Sequence, residues 1–404
     1  MHTSNTKTAR RYGRTATAAL GMLLATIPAA PAHAESIRER QWHLDAMHAE
    51  EMWKTSTGKG VTVAVIDSGV ESPMELQGQI LKGKDLTSRA GDEHDDFDGH
   101  GTSMAGLIAA TGVGPAGNGA FGLAPGAKIL PVRVPVGMGP ENFDKALGPA
   151  IRYAADSDAQ ILNISLATTR KVHAVEDAIK YALSKGKLVF AGVGNDGQRG
   201  NPKMYPAALP GVVGMAAISR DLTATEESNH GPQVDLAAPG DEMVTACAGK
   251  TGVCEGHGTS DATAIASASA ALIWSKHPNW TNNQVLRVML NTASKPNSGK
   301  ERTDYLGYGA IRPRIALKNP GDPGPADEYP LPDFPAQTSE SPSPEGSEPN
   351  SGTDDRSDTE ASDSGVRDDN STIWVTVGIG SAALFGLAVA ALVARSRRRT
   401  TGTG

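Results

Sequence analysis

The chain has 404 residues, with 38 basic side chains against 45 acidic ones and a formal net charge of −7. The acidic excess is local: residues 321–370 alone hold 14 acidic residues against 2 basic, so the rest of the chain is net positive. Nothing in this balance is the footprint of nucleic-acid binding, because the charge belongs to one polar segment and not to a basic face.

Residues 1–34 place Lys7, Arg10, Arg11 and Arg14 ahead of a short apolar run and end in the small-residue stretch "AHA". A positive n-region, a brief h-region and an A-x-A site are the parts of a secretory signal peptide, and the run is too short to span a bilayer. The mature chain is expected to start at Glu35. Residues 35–57, "ESIRERQWHLDAMHAEEMWKTST", form an extension ahead of the first strand.

"GVTVAVIDSGV" at residues 60–70 is a β-branched run ending in Asp-Ser-Gly, the pattern of a strand buried on both faces of a parallel sheet. Its polar end, with Asp67, falls at the carboxyl edge. Further strands fit "AKILPVRV" (127–134), "AQILNISLA" (159–167), "KLVFAGVGN" (187–195) and "GVVGMAAI" (211–218). Helical patterns at 143–157 and 172–186 fall between them. Alternating strands and helices indicate an α/β fold with a mostly parallel sheet, whose sites form beyond the strand C-termini. Asp67, Asn163, Ser165 and Asn195 collect there. Singly, each is ordinary turn and cap chemistry; together they ask for a shared explanation.

The pentapeptide "GHGTS" occurs twice, at residues 99–103 and 256–260, each time opening a run of small residues. A serine hydroxyl becomes a nucleophile when an imidazole takes its proton, and a carboxylate fixes that imidazole's tautomer and charge. Two assignments are open, His100 with Ser260 or His257 with Ser103. The first is the better physics. Ser260 sits at the mouth of a long Ala/Ser helix whose free N–H groups can face a developing oxyanion, whereas His100 follows an acidic loop suited to delivering a base.

Cys247 and Cys254 lie close together in a Gly-rich stretch, and export would place them where a disulfide persists, so they are expected to pair. The acidic stretch "GDEHDDFD" (91–98) lacks the spacing of an EF-hand loop and reads as a solvated face; no metal or cofactor is assigned. Residues 320–370 are rich in Pro, Ser, Asp and Glu and read as a disordered linker. Residues 373–394 contain no charge, match the length of a spanning helix, and precede the basic cluster at 395–399. They read as a single transmembrane helix with a basic cytoplasmic tail at 395–404, leaving the catalytic domain outside the cell membrane.

"VAVIDSGV", "GHGTSMAG" and "GHGTSDATA", in that order, resemble the Asp, His and Ser motifs of the subtilisin-like serine proteases. The likeness covers roughly residues 58–316, within a peptidase domain read at 58–319. It implies a subtilisin-like α/β fold with helices on both faces of the sheet, and endopeptidase activity without a cofactor. Asp67 would orient His100, the general base; Ser260 would be the nucleophile and Asn195 the oxyanion-hole amide. His257 and Ser103 would be echoes without a catalytic part. Ser165, Leu166 and Ala167 on one side, and Gly192, Val193 and Gly194 on the other, would bind substrate. Two departures stand out: Ala167 replaces the usual glycine, and "ESPMELQG" after Asp67 lacks the usual His-Pro. The signal peptide, linker, anchor and the extension pattern of Trp42, Leu44, Ala46 and Trp53 are similar to the mycosins, membrane-anchored proteases associated with type VII secretion. That likeness implies exported protein or peptide substrates and a secretion membrane complex as partner. A mainly structural role in such a complex is the competing function, and a subtilisin-fold esterase or ligase would use the same residues.

Overall fold

The computed structural model describes residues 35–249, 253–296 and 298–334. The signal peptide, the transmembrane span and the tail read from the sequence lie outside the described residues. No helix among the described residues is long and apolar enough to cross a membrane.

Three short helices, α1 (Ile37–Arg40), α2 (Trp42–Ala46) and α3 (Ala49–Trp53), lead into strand β1 (Thr62–Asp67). There follow β2 (Lys84–Asp85), α4 (His100–Ala109), β3 (Lys128–Arg133), α5 (Pro140–Asp156), β4 (Ile161–Ile164), α6 (His173–Ser184), β5 (Leu188–Gly192), β6 (Val213–Ile218) and β7 (Leu236–Pro239). A hairpin of β8 (Met243–Ala246) and β9 (Val253–Gly256), then α7 (Thr259–Lys276), α8 (Asn282–Thr292) and α9 (Pro313–Lys318), complete the order. The first seven strands form one sheet in the order β2-β3-β1-β4-β5-β6-β7. Every pairing in it is parallel.

The alternation of side chains along β1 explains the layers. Val63 and Val65 join a core with α4, α7 and α8, whereas Ala64 and Ile66 join a second core with α5 and α6. A strand buried on both faces therefore reads as a continuous apolar run. Helix α7 carries apolar or small residues all round and is buried from Ala262 to Trp274, as a helix without a polar face must be. Because β1 lies between β3 and β4, successive connections leave it in opposite directions. The crevice at its carboxyl end is the switch point of the sheet.

The N-terminal extension is tied to the domain by side chains reaching backbone carbonyls. Gln41 Nε2 donates to Phe121 O (2.7 Å) and Val244 O (3.0 Å), Trp42 Nε1 to Asp241 O (2.9 Å) and Trp53 Nε1 to Leu123 O (2.9 Å). Cys247 and Cys254 are joined across the β8–β9 hairpin, with Cα atoms 5.3 Å apart.

The disordered linker expected from residue 320 needs correction at its start. Residues 320–334 are packed on the domain: the Arg287 guanidinium donates to the carbonyls of Pro323, Pro325 and Glu328, Tyr329 Oη donates to Gly211 O (2.7 Å), and Leu331 is buried. Composition suggested disorder because the segment is polar overall. Tyr329, Leu331 and Phe334 as apolar anchors, and one arginine that satisfies its carbonyls, suffice to hold it.

Candidate active site

Asp67 is the last residue of β1 and is wholly buried. Its carboxylate accepts the Ser68 N–H at Oδ1 (2.8 Å) and faces His100 Nδ1 at 2.8 Å from Oδ1 and 3.0 Å from Oδ2. A carboxylate held this way can only pair with the ring nitrogen as acceptor, so Nδ1 carries the proton and Nε2 is left as the base.

His100 begins α4, and the glycines beside it explain the local sequence. Gly99 has φ 86°, and a Cβ on Gly101 would stand 2.1 Å from Gly69 O, so only glycine lets the helix start this close to β1. The loop before it is fixed by Asp96, which is buried and accepts from Ser68 Oγ (2.7 Å), the Gly99 N–H (2.8 Å) and the Thr102 N–H (2.8 Å). Sequence reading missed Asp96, because nothing local separates it from the other acids of "GDEHDDFD". Burial pulls the His100 pKa down, but the adjacent Asp67 carboxylate outweighs it and raises the value to about 9.

Ser260 lies in the first turn of α7. Its Oγ donates to Ser165 O (3.1 Å), and Ser165 Oγ donates back to Ser260 O (3.1 Å), so the helix mouth is stitched to the end of β4. Asn163, whose Nδ2 donates to Ser165 Oγ (3.0 Å) and whose Oδ1 accepts from Ser267 Oγ (2.9 Å), extends this stitch into the core. No hydrogen bond joins Ser260 to His100 among the described residues. The Asp67–His100 pair is formed, and the serine hydroxyl is turned to a neighbouring carbonyl.

Asn195 follows β5. Its Oδ1 accepts from the Thr259 N–H (2.9 Å) and Thr259 Oγ (3.0 Å). The backbone donor dictates which end of the amide faces it, so Nδ2 points away, free for a ligand at the α7 mouth. Gly258, at φ 120°, admits this approach: a Cβ there would stand 2.7 Å from Asn195 Nδ2.

Past β4, the backbone groups of Leu166 and Ala167 carry no hydrogen bond among the described residues, which leaves an edge for an extended peptide. Across from it, Gly192 packs on Thr259, and Gly194 donates its N–H to Thr259 Oγ1 (3.2 Å). Val193 departs from expectation. Its side chain is wholly buried in the α5–α6 core and its N–H donates to Met215 O (3.1 Å), because the β-pleat turns residue 193 inward. Its side chain holds the strand end and does not line the cleft.

The second members of the repeats are engaged elsewhere. Ser103 Oγ donates to Gly99 O (2.9 Å) in its own helix. His257 Nδ1 lies 2.8 Å from Glu227 Oε1, an exposed pair whose hydrogen bond raises the imidazole pKa.

The family model for the subtilases, Peptidase_S8, matches residues 58–309. The chain belongs to the subtilase family. The minor extracellular protease Epr of Bacillus subtilis is 33% identical over 274 residues, 67% of this chain and 41% of Epr, so the chain spans well under half of that relative's length. Among solved structures, MycP1 of Mycobacterium smegmatis superposes with a TM-score of 0.63 at 27% identity, covering 74% of this chain and 89% of that one. MycP3, a protease from the type VII (ESX-3) secretion system, gives 0.59 at 28% identity over 71% and 90%. The subtilase fold, mostly parallel sheet included, is thus shared with mycosins.

The raised His100 value sets a pH dependence for this subtilase. As the expected base, His100 would work only as neutral imidazole, so activity would be lost as pH falls through its pKa. The acid limb of kcat/KM should lie above the ordinary histidine value of about 6.5 and shift down when Asp67→Asn removes the raising charge. A limb at or below the ordinary value in the unmodified protein would refute it.

Proposed function

We propose that the protein is a membrane-anchored, extracytoplasmic serine endopeptidase of narrow specificity, associated with type VII protein secretion, in which Asp67, His100 and Ser260 are the triad and Asn195 the oxyanion donor. The observation that carries the chemistry is the buried Asp67 carboxylate on His100 Nδ1, beside a serine at the mouth of α7. The likeness to MycP1 and MycP3 supports the secretion link; the uncharged stretch at 373–394 supports the anchor.

In this mechanism rotation about the Ser260 side chain carries Oγ from the Ser165 carbonyl to His100 Nε2. The imidazole takes the proton as Oγ attacks the scissile carbonyl, and Asp67 stabilises the imidazolium. The oxyanion meets the Ser260 N–H and Asn195 Nδ2. His100 then protonates the leaving nitrogen, and water releases the acyl half by the same steps reversed.

An impermeant fluorophosphonate applied to intact cells tests chemistry and topology together. Labelling of the full chain at Ser260 supports both. Labelling only after permeabilisation overturns the orientation, and no labelling in either case overturns the chemistry.

Ala167 bears on specificity. A methyl where the family usually has glycine narrows the entrance for the residue preceding the scissile bond, so small residues such as Ala are preferred there. Ala167→Gly should raise the Phe-to-Ala ratio of kcat/KM by about tenfold, within the roughly 10–200-fold range one methylene of pocket shape provides. A native enzyme that already cleaves after Phe as readily as after Ala would show that Ala167 does not gate the pocket.

A further inference from the structure

The hairpin of β8 and β9 stands outside the main sheet, and the mechanism above makes no use of it. Two strands of four residues each, paired only with one another, are marginal as a unit and keep their shape through what they pack on. This hairpin packs on α4, the helix that begins with His100.

The contacts run down one face of that helix. Ala248 Cβ lies 3.8 Å from where a Cβ on Gly99 would stand, Thr245 Oγ1 donates to Ser103 O (3.1 Å), and a Cβ on Gly106 would stand 2.5 Å from Thr245 Oγ1 and 3.1 Å from Ala246 Cβ. Residues 99, 103 and 106 are four and three apart, the spacing of one helix face. The N-terminal extension also grips the hairpin, through Gln41 on Val244 O and Arg40 on Glu255 (3.4 Å).

At its tip the hairpin meets the loop that follows β1. The Gly249 N–H donates to Glu71 Oε2 (3.2 Å), and the Glu71 N–H donates to Thr102 Oγ1 in the first turn of α4 (3.0 Å). Thr102 Oγ1 in turn donates to the buried Asp96 (2.6 Å). Glu71 opens residues 71–78, the stretch in which the usual His-Pro is missing, so this bridge lies where the sequence departs from its family. Cys247 immediately precedes Ala248 and Gly249, and its bond to Cys254 ties them to β9. Without that bond only the four-residue ladder holds the tip.

We propose that the Cys247–Cys254 disulfide and Glu71 position His100: the closed hairpin holds the first turn of α4 against β1, and turnover depends on the disulfide being intact. This rests on the endopeptidase reading above. A dithiol reductant opens the bond by exchange, and Cys254, the less buried of the two, is the sulfur attacked. The first thiolate bonds to Cys254 and expels Cys247; the second closes the reductant's own ring and expels Cys254. Each cysteine gains one electron and one proton, and the reductant leaves as a cyclic disulfide. The chain has two cysteines, so reduction acts at this bond alone.

Burial lowers the His100 pKa and the hydrogen-bonded Asp67 carboxylate more than offsets it, with Asp261 and Asp98 raising it further through charge alone. Drawing His100 away from Asp67 therefore lowers the value. The test compares the oxidised full chain with the same chain after dithiol treatment. On reduction, kcat on the plateau above the acid limb should fall about 10- to 100-fold, KM should stay within about twofold, and the His100 imidazole titration, followed by NMR, should move down. Glu71→Ala should do the same with the disulfide intact, and Glu71→Gln, whose amide oxygen still accepts from Gly249, should restore most of the oxidised behaviour. A change in thermal unfolding alone, with kcat and the His100 titration unmoved, makes the disulfide a stabiliser and overturns the inference while the protease reading stands. A raised KM with kcat spared also overturns it, since the hairpin then touches substrate. If neither state cleaves peptide, the protease reading fails and the His100 titration still decides: moved by reduction it supports the positioning, unmoved it overturns it.

Discussion

Ser260→Ala is expected to abolish fluorophosphonate labelling and lower kcat on the order of 10⁶-fold, while Ser103→Ala retains both within about twofold. The two serines occupy the same pentapeptide, so the difference is set by their surroundings. Ser103 Oγ is committed to Gly99 O one turn back in α4, and its loss removes one local hydrogen bond. Ser260 lies in the first turn of α7, beside the crevice where β1 ends, and its Oγ rests on a carbonyl that it can leave without exposing a buried donor. On the proposed assignment, removing Oγ deletes the atom that would form the acyl intermediate, so no neighbouring group compensates, and the proposed triad's other members lose their purpose together. Labelling that survives in Ser260→Ala would sink the assignment. Activity lost equally in Ser103→Ala would show that the α4 turn contributes more than packing.

Much of this was legible in the sequence, for identifiable reasons. A β-branched run ending in Asp-Ser-Gly fixes β1 and its carboxyl edge, and the parallel sheet follows from the alternation of patterns. The pentapeptide itself carries no distinction, because identical residues carry identical propensities; the flanking sequence favours His100 with Ser260, and the third partner adds to that preference. His100 finds Asp67 across the sheet edge, and His257 finds Glu227 on the surface. Strand β2 is two residues long and has no period to read. Helix α8 does announce itself, through a capping box in which Thr281 accepts from the Gln284 N–H, a T-x-x-Q signal that a reading centred on strands passed over. Val193 and Asp96 are the instructive misses. Which face a residue takes at a strand end, and which acid of several is buried, depend on contacts from elements distant in sequence.

Asn195→Ala should lower kcat by on the order of 10²–10³-fold with KM nearly unchanged. The geometry makes this sharper than a sequence match could. Oδ1 is consumed by two donors from Thr259, which pins the side-chain plane and leaves Nδ2 without a protein partner among the described residues. A donor oriented in advance contributes most where charge appears only in the transition state, so its removal touches kcat and not ground-state binding. Truncation also frees the Thr259 N–H at the start of α7, and a small loss of stability should accompany the kinetic effect. Thr259→Val separates the two. It deletes the Oγ bond to Oδ1 but keeps Nδ2, and should therefore cost far less in kcat than Asn195→Ala at comparable stability. Steady-state kinetics on both variants, with thermal unfolding measured in parallel, decide the matter. If Asn195→Ala raises KM and spares kcat, the amide positions substrate and the oxyanion must be held by the Ser260 N–H and the α7 N-terminus instead.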